Sequence, residues 1–378
     1  MTAALSVQQH TITLGAGVGS NTADLTGDPG TLNTDDCIPF ITAWVTTPNG
    51  ADPGGYAVDA YFTAGSPNKV TVETGDSATR ALSVEVTVVE FDSSLIKVQQ
   101  GTFSMTDGSA TPDVVPDDLG EDTTENTFLY HTYQCTGMGA DYHNALTRGN
   151  IFGVDNFSFS RSNTVGTVSG NFYLAEANQA SKPWSVQHIN MDMTAAEPST
   201  TAVGGGTDFD TVDATKSFML GSFKSENASA SNAEHTVDTV LDPDGDLITK
   251  TRQASADIVW GVVQLVTFDS GGNENVYRGT IVGTDGDDTV SIGATVVDGD
   301  STVHVAGMTG GFTGGSFAGT AAADCPNALC TLTFPSATQV QIEHDISGTP
   351  DTGNVSWEVI EWDTGAAPPV TRRVMVRG

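Results

Sequence analysis

The sequence predicts an all-β chain: four tandem immunoglobulin-like β-sandwich modules of about 90 residues each. Three observations carry that reading. One strand-like phrase returns at near-constant spacing, apolar and polar residues alternate with a period of two, and no stretch sustains a helical stripe.

The recurring phrase begins at Val7-Gln8-Gln9-His10 and returns at Val98-Gln99-Gln100-Gly101, Val186-Gln187-His188-Ile189, Val276-Tyr277-Arg278-Gly279 and Val370-Thr371-Arg372-Arg373. Its leading valines are separated by 91, 88, 90 and 94 residues. A second phrase precedes each of the last four copies: Val84 to Phe91, Phe172 to Glu176, Val259 to Leu265, and Val355 to Trp362. A third opens each module at Cys37-Ile38-Pro39-Phe40, Phe128-Leu129-Tyr130-His131, Phe218-Met219-Leu220-Gly221 and Val303-His304-Val305-Ala306. Three phrases sharing one period place the modules at 1–110, 111–200, 201–290 and 291–378, standing in series.

Within a module, Val70-Thr71-Val72-Glu73, Val84-Glu85-Val86-Thr87-Val88 and Val340-Gln341-Ile342-Glu343 alternate as half-buried strands do. Asp92-Ser93, Ser270-Gly271-Gly272 and Thr364-Gly365 read as hairpin turns between the second phrase and the Val-Gln strand. Seven short strands fit 90 residues. A module of this size buries a thin core alone, so neighbours or partner subunits are expected to help. With five copies of the Val-Gln strand, one end of the chain is expected either to fold back on a terminal module or to donate to another subunit's sheet edge.

Composition excludes several partners. Against 47 Asp and Glu stand 14 Lys and Arg, a net charge of −33. Nucleic-acid binding needs cations to displace condensed counterions, and anionic membrane surfaces repel such a chain. No apolar run is long enough to span a bilayer, so no membrane insertion is expected. Met1 to Val7 has neither the basic nor the apolar stretch of a secretory leader, so none is expected here.

Residue types that carry chemistry read as structural. Glu90, Glu176 and Glu361 recur, with Gln264 in the third copy, as a place in the strand pattern. His10 and His188 take positions held elsewhere by Gln100 and Arg278, which marks a surface strand. The five Trp fall on or beside framework phrases, as packing residues. No zinc, nucleophile-elbow or phosphate-loop motif occurs, and no cofactor or catalytic residue is expected. Two acidic loops are weak calcium candidates: Asp242, Asp244 and Asp246 around Gly245, and Asp285 and Asp287 around Gly286. The first lacks the bidentate Glu of a hard-cation loop, and the second is a single copy of a turn that works by stacking. Cys325 and Cys330 are spaced for a local disulfide, with two reduced thiols as the alternative.

The units closing on Val88-Val89-Glu90-Phe91 with Val98-Gln99-Gln100-Gly101 resemble repetitive β-sandwich virion structural proteins of tailed bacteriophages. The resemblance runs from Val7 to Arg377 and rests on framework strands, which specify a module type more than a role. The second module departs from it, with Leu174-Ala175-Glu176-Ala177 and no Gly after Val186-Gln187, so a different edge geometry is expected there. The resemblance implies a non-enzymatic virion component, assembled in the host cytoplasm, that decorates a capsid or forms a fibre or tail surface. Its partners are then copies of itself as a homo-oligomer and other virion proteins, met through sheet edges and loops. An extracellular adhesin or glycan-binding filament subunit is the alternative, and a hydrolase stands third.

Overall fold

The computed structural model describes residues 3–25, 32–45, 57–64, 68–75, 81–106, 123–137, 146–153, 156–162, 165–178, 180–226, 237–252, 257–283, 288–307, 316–317, 330–343 and 353–365. Among them every regular element is a β-strand or a single 3-10 turn, so the chain is all-β. No helix there is long and apolar enough to cross a membrane.

The strands fall into four sets. The first unit holds β1 (Ala4–Leu14), β2 (Ser20–Asp24), β3 (Cys37–Val45), β4 (Val58–Thr63), β5 (Lys69–Thr74) and β6 (Leu82–Phe91). The second holds β7 (Ile96–Met105), β8 (Thr127–Thr136), β9 (Arg148–Gly153), β10 (Asn156–Ser160) and β11 (Thr167–Ala177). The third holds β12 (Trp184–Asn190), β13 (Ser199–Val203), β14 (Ser217–Glu226), β15 (Asp238–Leu241), β16 (Leu247–Thr251) and β17 (Ile258–Phe268). The fourth holds β18 (Asn275–Gly283), β19 (Asp288–Ser291), β20 (Ser301–Val305), β21 (Ser316–Phe317), β22 (Thr331–Ser336), β23 (Gln339–Glu343) and β24 (Gly353–Glu361).

Each unit builds an antiparallel inner sheet with its last strand in the centre: β1-β6-β3, β7-β11-β8, β12-β17-β14 and β18-β24-β20. An outer sheet repeats the order as β2-β5-β4, β13-β16-β15 and β19-β23-β22, and as the pair β10-β9 in the second unit. The two sheets of the first unit bury Ile12, Leu14, Val84 and Val86 against Val58, Ala60, Val70 and Val72. Alternation along β6 puts the valines inward, as the period-two pattern requires.

Pairing shifts the expected boundaries. The Val-Gln strand opens a unit instead of closing one, because β7 pairs with β11 and not with the adjacent β6. The paired strands therefore span 4–91, 96–177, 184–268 and 275–361, in place of boundaries at 110, 200 and 290. Turns at 92–95 and 269–274, expected as hairpins, connect strands of different units. A tight turn fixes only that the chain reverses; side-chain packing tens of residues away chooses the partner. At the N-terminus, β1 folds back onto β6 of its own unit. The fifth copy, 370–376, lies outside the described residues.

The units do not stand in series with separate cores. They close into a ring in which the first meets the second, the second the third, the third the fourth, and the fourth returns to the first. Phe91, Phe128, Phe218, Phe268, Trp184 and Trp362 bring aromatic rings from all four units into one cluster. Trp362 lies 5.5 Å from both Phe91 and Phe268, and Trp184 lies 5.8 Å from Phe91 and 5.4 Å from Phe128. Edge and tilted geometries of this kind are favourable for quadrupolar rings. Thin individual cores explain the closure: pooling aromatics buries more apolar surface than four separated sandwiches can.

Glycine after the Val-Gln step follows the partner across the strand pair. Gly101 faces Phe172 and Gly279 faces Trp357, and a Cβ on either glycine would stand 2.4 Å or 2.6 Å from the ring. Where the cross-strand residue is a valine, a side chain fits: His10 faces Val86 and Ile189 faces Val263. The missing glycine of the Val186 strand is thus a packing match with Val263.

Candidate functional site: the polar seams between units

The strand registers align the four units residue by residue. Ser6, Lys97, Ser185 and Asn275 are equivalent, as are Cys37, Thr127, Ser217 and Ser301. Three residues on from the first set stand Gln9, Gln100, His188 and Arg278. Each donates to the carbonyl of the second-set residue in the preceding unit. Gln9 Nε2 reaches Ser301 O at 2.9 Å, Gln100 Nε2 reaches Cys37 O at 3.2 Å, and His188 Nε2 lies 3.1 Å from Thr127 O. Arg278 binds Ser217 O, and also Ala214 O at 2.6 Å. The equivalent of His188 is therefore Gln9, one residue before His10. An amide, an imidazole and a guanidinium do the same task because each presents an N–H at the same reach.

A second contact repeats in three seams. Thr42, Thr132 and Ser222 are equivalent, and each hydroxyl accepts from an outer-strand amide of the unit before: Leu332 N at 3.2 Å, Ala60 N at 3.0 Å and Gly149 N at 3.0 Å. In the remaining seam the equivalent is Ala306, which has no hydroxyl.

Centre strands supply a third set. Gln264 sits opposite the Leu129 backbone, accepting from its N–H at 2.6 Å and donating to its carbonyl at 2.7 Å. The amide thus stands in for a strand on an edge that would otherwise be buried unpaired. One seam later Glu358 and His304 divide the task at Met219: its N–H donates to Glu358 Oε2 at 2.8 Å, and His304 Nε2 lies 3.1 Å from its carbonyl. Arg278 donates to the other Glu358 oxygen at 3.2 Å. Burial works against the Glu358 charge, yet the His304 hydrogen bond and the Arg278 charge hold its pKa below the usual carboxylate range.

Asp59 and Asp238 occupy matching outer-strand positions and reach into the next unit. Asp59 accepts from Asn171 N at 3.1 Å and from Thr132 Oγ1 at 2.6 Å; Asp238 accepts from Ser356 N at 3.0 Å. Burial pushes the Asp59 carboxyl up to about 7 and that of Asp238 in the same direction.

The recurring glutamates anchor turns. Glu90 accepts from Asn33 N at 2.9 Å and Glu361 from Val297 N at 3.0 Å, each amide lying just before a 3-10 turn. The third-unit equivalent, by register, is Thr267 and not Gln264. There Asp213 caps its own turn through Thr215 N at 2.9 Å. Glu176 is buried in β11.

Several cations point inward. Arg161 donates to the carbonyls of Val165 and Gly166, Arg252 to those of Thr194, Glu197 and Asp257, and Lys216 to those of Gly272 and Glu274. Lys250 is buried, donates to Met191 O at 3.2 Å and lies over the Phe223 ring; burial lowers its pKa to about 7.

The calcium candidates separate. Asp242 Oδ1 accepts from Asp246 N at 3.0 Å and Leu247 N at 3.1 Å, closing the β15–β16 turn, with Gly245 at φ +71°. Repulsion from Asp242, and then from Asp244, raises the Asp246 pKa. Among the described residues no group of three or more His, Cys, Asp or Glu is placed to hold a metal ion. Asp285 and Asp287 lie outside the described residues. So does Cys325, while its proposed partner Cys330 is buried. Trp184, Trp357 and Trp362 are buried, and Trp260 is half-buried beneath Lys224. A cleft of about 450 Å³ between the second and third units is lined by Glu125, Lys182, Trp184, Asp213, Lys216 and Asp269. Its two lysines stand among three carboxylates, and Lys216 is already held by backbone.

Composition and phrase spacing exposed the repeat but not these seams. The signal that finds them is the third position of the Val-Gln phrase, where Gln, Gln, His and Arg all carry a donor. No protein-family model matches the chain, and no curated protein matches it in sequence.

Proposed function

We propose that this chain is a non-enzymatic structural component of an assembled particle, a virion protein of a tailed bacteriophage that decorates the capsid or forms part of a fibre or tail surface. The observation that carries the reading is where the polar side chains of the repeated phrases go. Gln9, Gln100, His188, Arg278, Gln264 and Glu358 all join one unit to the next through backbone groups. Their chemistry is construction. Inward-facing cations leave a surface dominated by carboxylates, whose hydration and mutual repulsion keep particles apart. The outer-sheet edges β2, β13 and β19 are four or five residues long and rich in Ser, Thr and Asp. Such edges resist indiscriminate pairing and leave docking to a matched partner, here another copy or another virion protein.

Negative-stain electron microscopy of labelled protein mixed with particles from its native source tests the proposal. Bound copies at regular sites on head, tail or fibre are the expected result. Bare particles, together with saturable binding on a glycan array, would replace it with the extracellular adhesin.

A further inference from the structure

In the third unit the outer sheet turns an uncharged face to solvent. Its registers set Thr201, Thr249 and Val240 in one row across β13, β16 and β15, with Val203 beside Leu247 in the next row. Ala202, Ile248 and Leu241 point the other way, into the core. Val203 is 46% exposed and Val240 37%. Asp238 shares the Val240 side of β15 but is buried against the fourth unit, where it accepts from Ser356 N. Among the described residues no charged side chain is exposed on these three strands.

The arrangement of β16 runs against its own chemistry. Its one charged residue, Lys250, faces the core, where burial disfavours the ammonium, while Leu247, Thr249 and Thr251 face outward. A fully solvated face would take the lysine without that cost. The first unit shows the usual solution: its outer sheet carries the Lys69–Asp24 ion pair at 3.1 Å, with Glu73 on the same outward side. With a net charge of −33, two copies meeting elsewhere set carboxylates against carboxylates. On the third unit's face neither copy brings a charge.

We propose that this face is a contact between two copies of the chain, packed sheet on sheet about a two-fold axis. Rows of threonine and valine on a pleated surface suit such packing, with the sheets about 10 Å apart. The axis also sorts the rim. Asp244 and Asp246 are exposed at the β15–β16 turn, whereas Arg252 lies at the opposite end, bound to the Glu197 carbonyl at 3.2 Å. Antiparallel strands turn the acidic end of each copy toward the Arg252 end of its partner. Three strands about 4.8 Å apart, with five residues at about 3.3 Å each, give a face of roughly 240 Å². A standard interface takes about 800 Å² from each partner. The pair is therefore weak and forms where copies are concentrated. It needs no particle, so it stands or falls separately from the function proposed above.

Sedimentation velocity of the purified full chain, from about 0.01 to 1 mM and at about 0.05 and 0.5 M salt, tests this. Dimer should grow with concentration and also with salt, which screens the repelling carboxylates and leaves an uncharged contact intact. Val240→Asp and Thr249→Asp should each weaken dimerisation about tenfold or more. Thr22→Asp adds the same charge at an exposed position of the first unit's outer sheet and should change it less than about twofold. A chain that stays monomeric throughout overturns the proposal, as does a dimer that weakens with salt or survives Val240→Asp unchanged. Equal weakening by Thr22→Asp overturns it too, because net charge alone then sets the association. If thermal unfolding shows that aspartate at 240 melts the chain, Val240→Thr and Val203→Thr keep the β-branched shape and should each weaken dimerisation about threefold. No change in either then counts against the proposal.

Discussion

Gln9 and Ser301 stand 292 residues apart in sequence and are joined by a 2.9 Å hydrogen bond from the Gln9 amide to the Ser301 carbonyl. It is the fourth of a set whose other members are Gln100 with Cys37, His188 with Thr127 and Arg278 with Ser217. The other three join neighbours in sequence; this one turns a row of units into a ring. Closure matters because a row would leave an aromatic face and a sheet edge bare at each end, whereas a ring leaves neither.

Equivalent position does not mean equivalent energy. Gln9→Ala removes the half-buried neutral bond to Ser301 and should cost about 0.5–1.5 kcal/mol in urea unfolding. Arg278→Ala also strips its cation from Glu358, which is fully buried, and should cost about 3–5 kcal/mol. Equal losses would show that the Glu358 charge does not depend on Arg278.

Gln264 satisfies both backbone groups of Leu129. Gln264→Leu leaves an N–H and a carbonyl unpaired in a dry seam, for an expected loss of about 2–4 kcal/mol. Gln264→Glu should be worse at pH 7, where a charge is buried without a donor for the carbonyl. It should recover at pH 4.5, because a protonated carboxyl can again accept and donate. Denaturation of both variants at the two pH values measures this.

Gly101→Ala forces a Cβ into the Phe172 ring and should destabilise by about 1–3 kcal/mol. In a Phe172→Val background, which copies the pairing of His10 with Val86, the same change should cost less by about 1 kcal/mol or more. An additive cycle would mean that the ring does not select the glycine.

Asp59 titrates near 7 in the folded chain and near 3.8 unfolded. Between those values the unfolded chain has released a proton that the folded chain retains, so stability falls as pH rises from about 4 to 7 and then levels. The contribution is on the order of 2–4 kcal/mol. Asp59→Asn should match the parent at pH 4.5 and exceed it at pH 8 in thermal unfolding, with a flatter dependence between.

Much of the architecture was legible in the chain. Alternation in Val84 to Val88 and a repeat near 90 residues are local or periodic properties, and they are enough for strands and for four copies. Burial of Trp184, Trp357 and Trp362 was also readable, since those residues lie on framework phrases. The alignment of Gln264 with the glutamates failed by three residues, because one phrase offers no register without its partner strand. For the same reason a turn at 92–95 looked like a hairpin while its flanking strands belong to different sheets.

Strand content and copy number thus follow from patterns a few residues long, which side-chain alternation imposes wherever one face is buried. Pairing and closure are different in kind. Whether β7 joins β6 or β11, and whether the fourth unit meets the first, depends on the free energy of burying Phe91, Phe128, Trp184 and Trp362 together, and no short stretch of chain contains that contact.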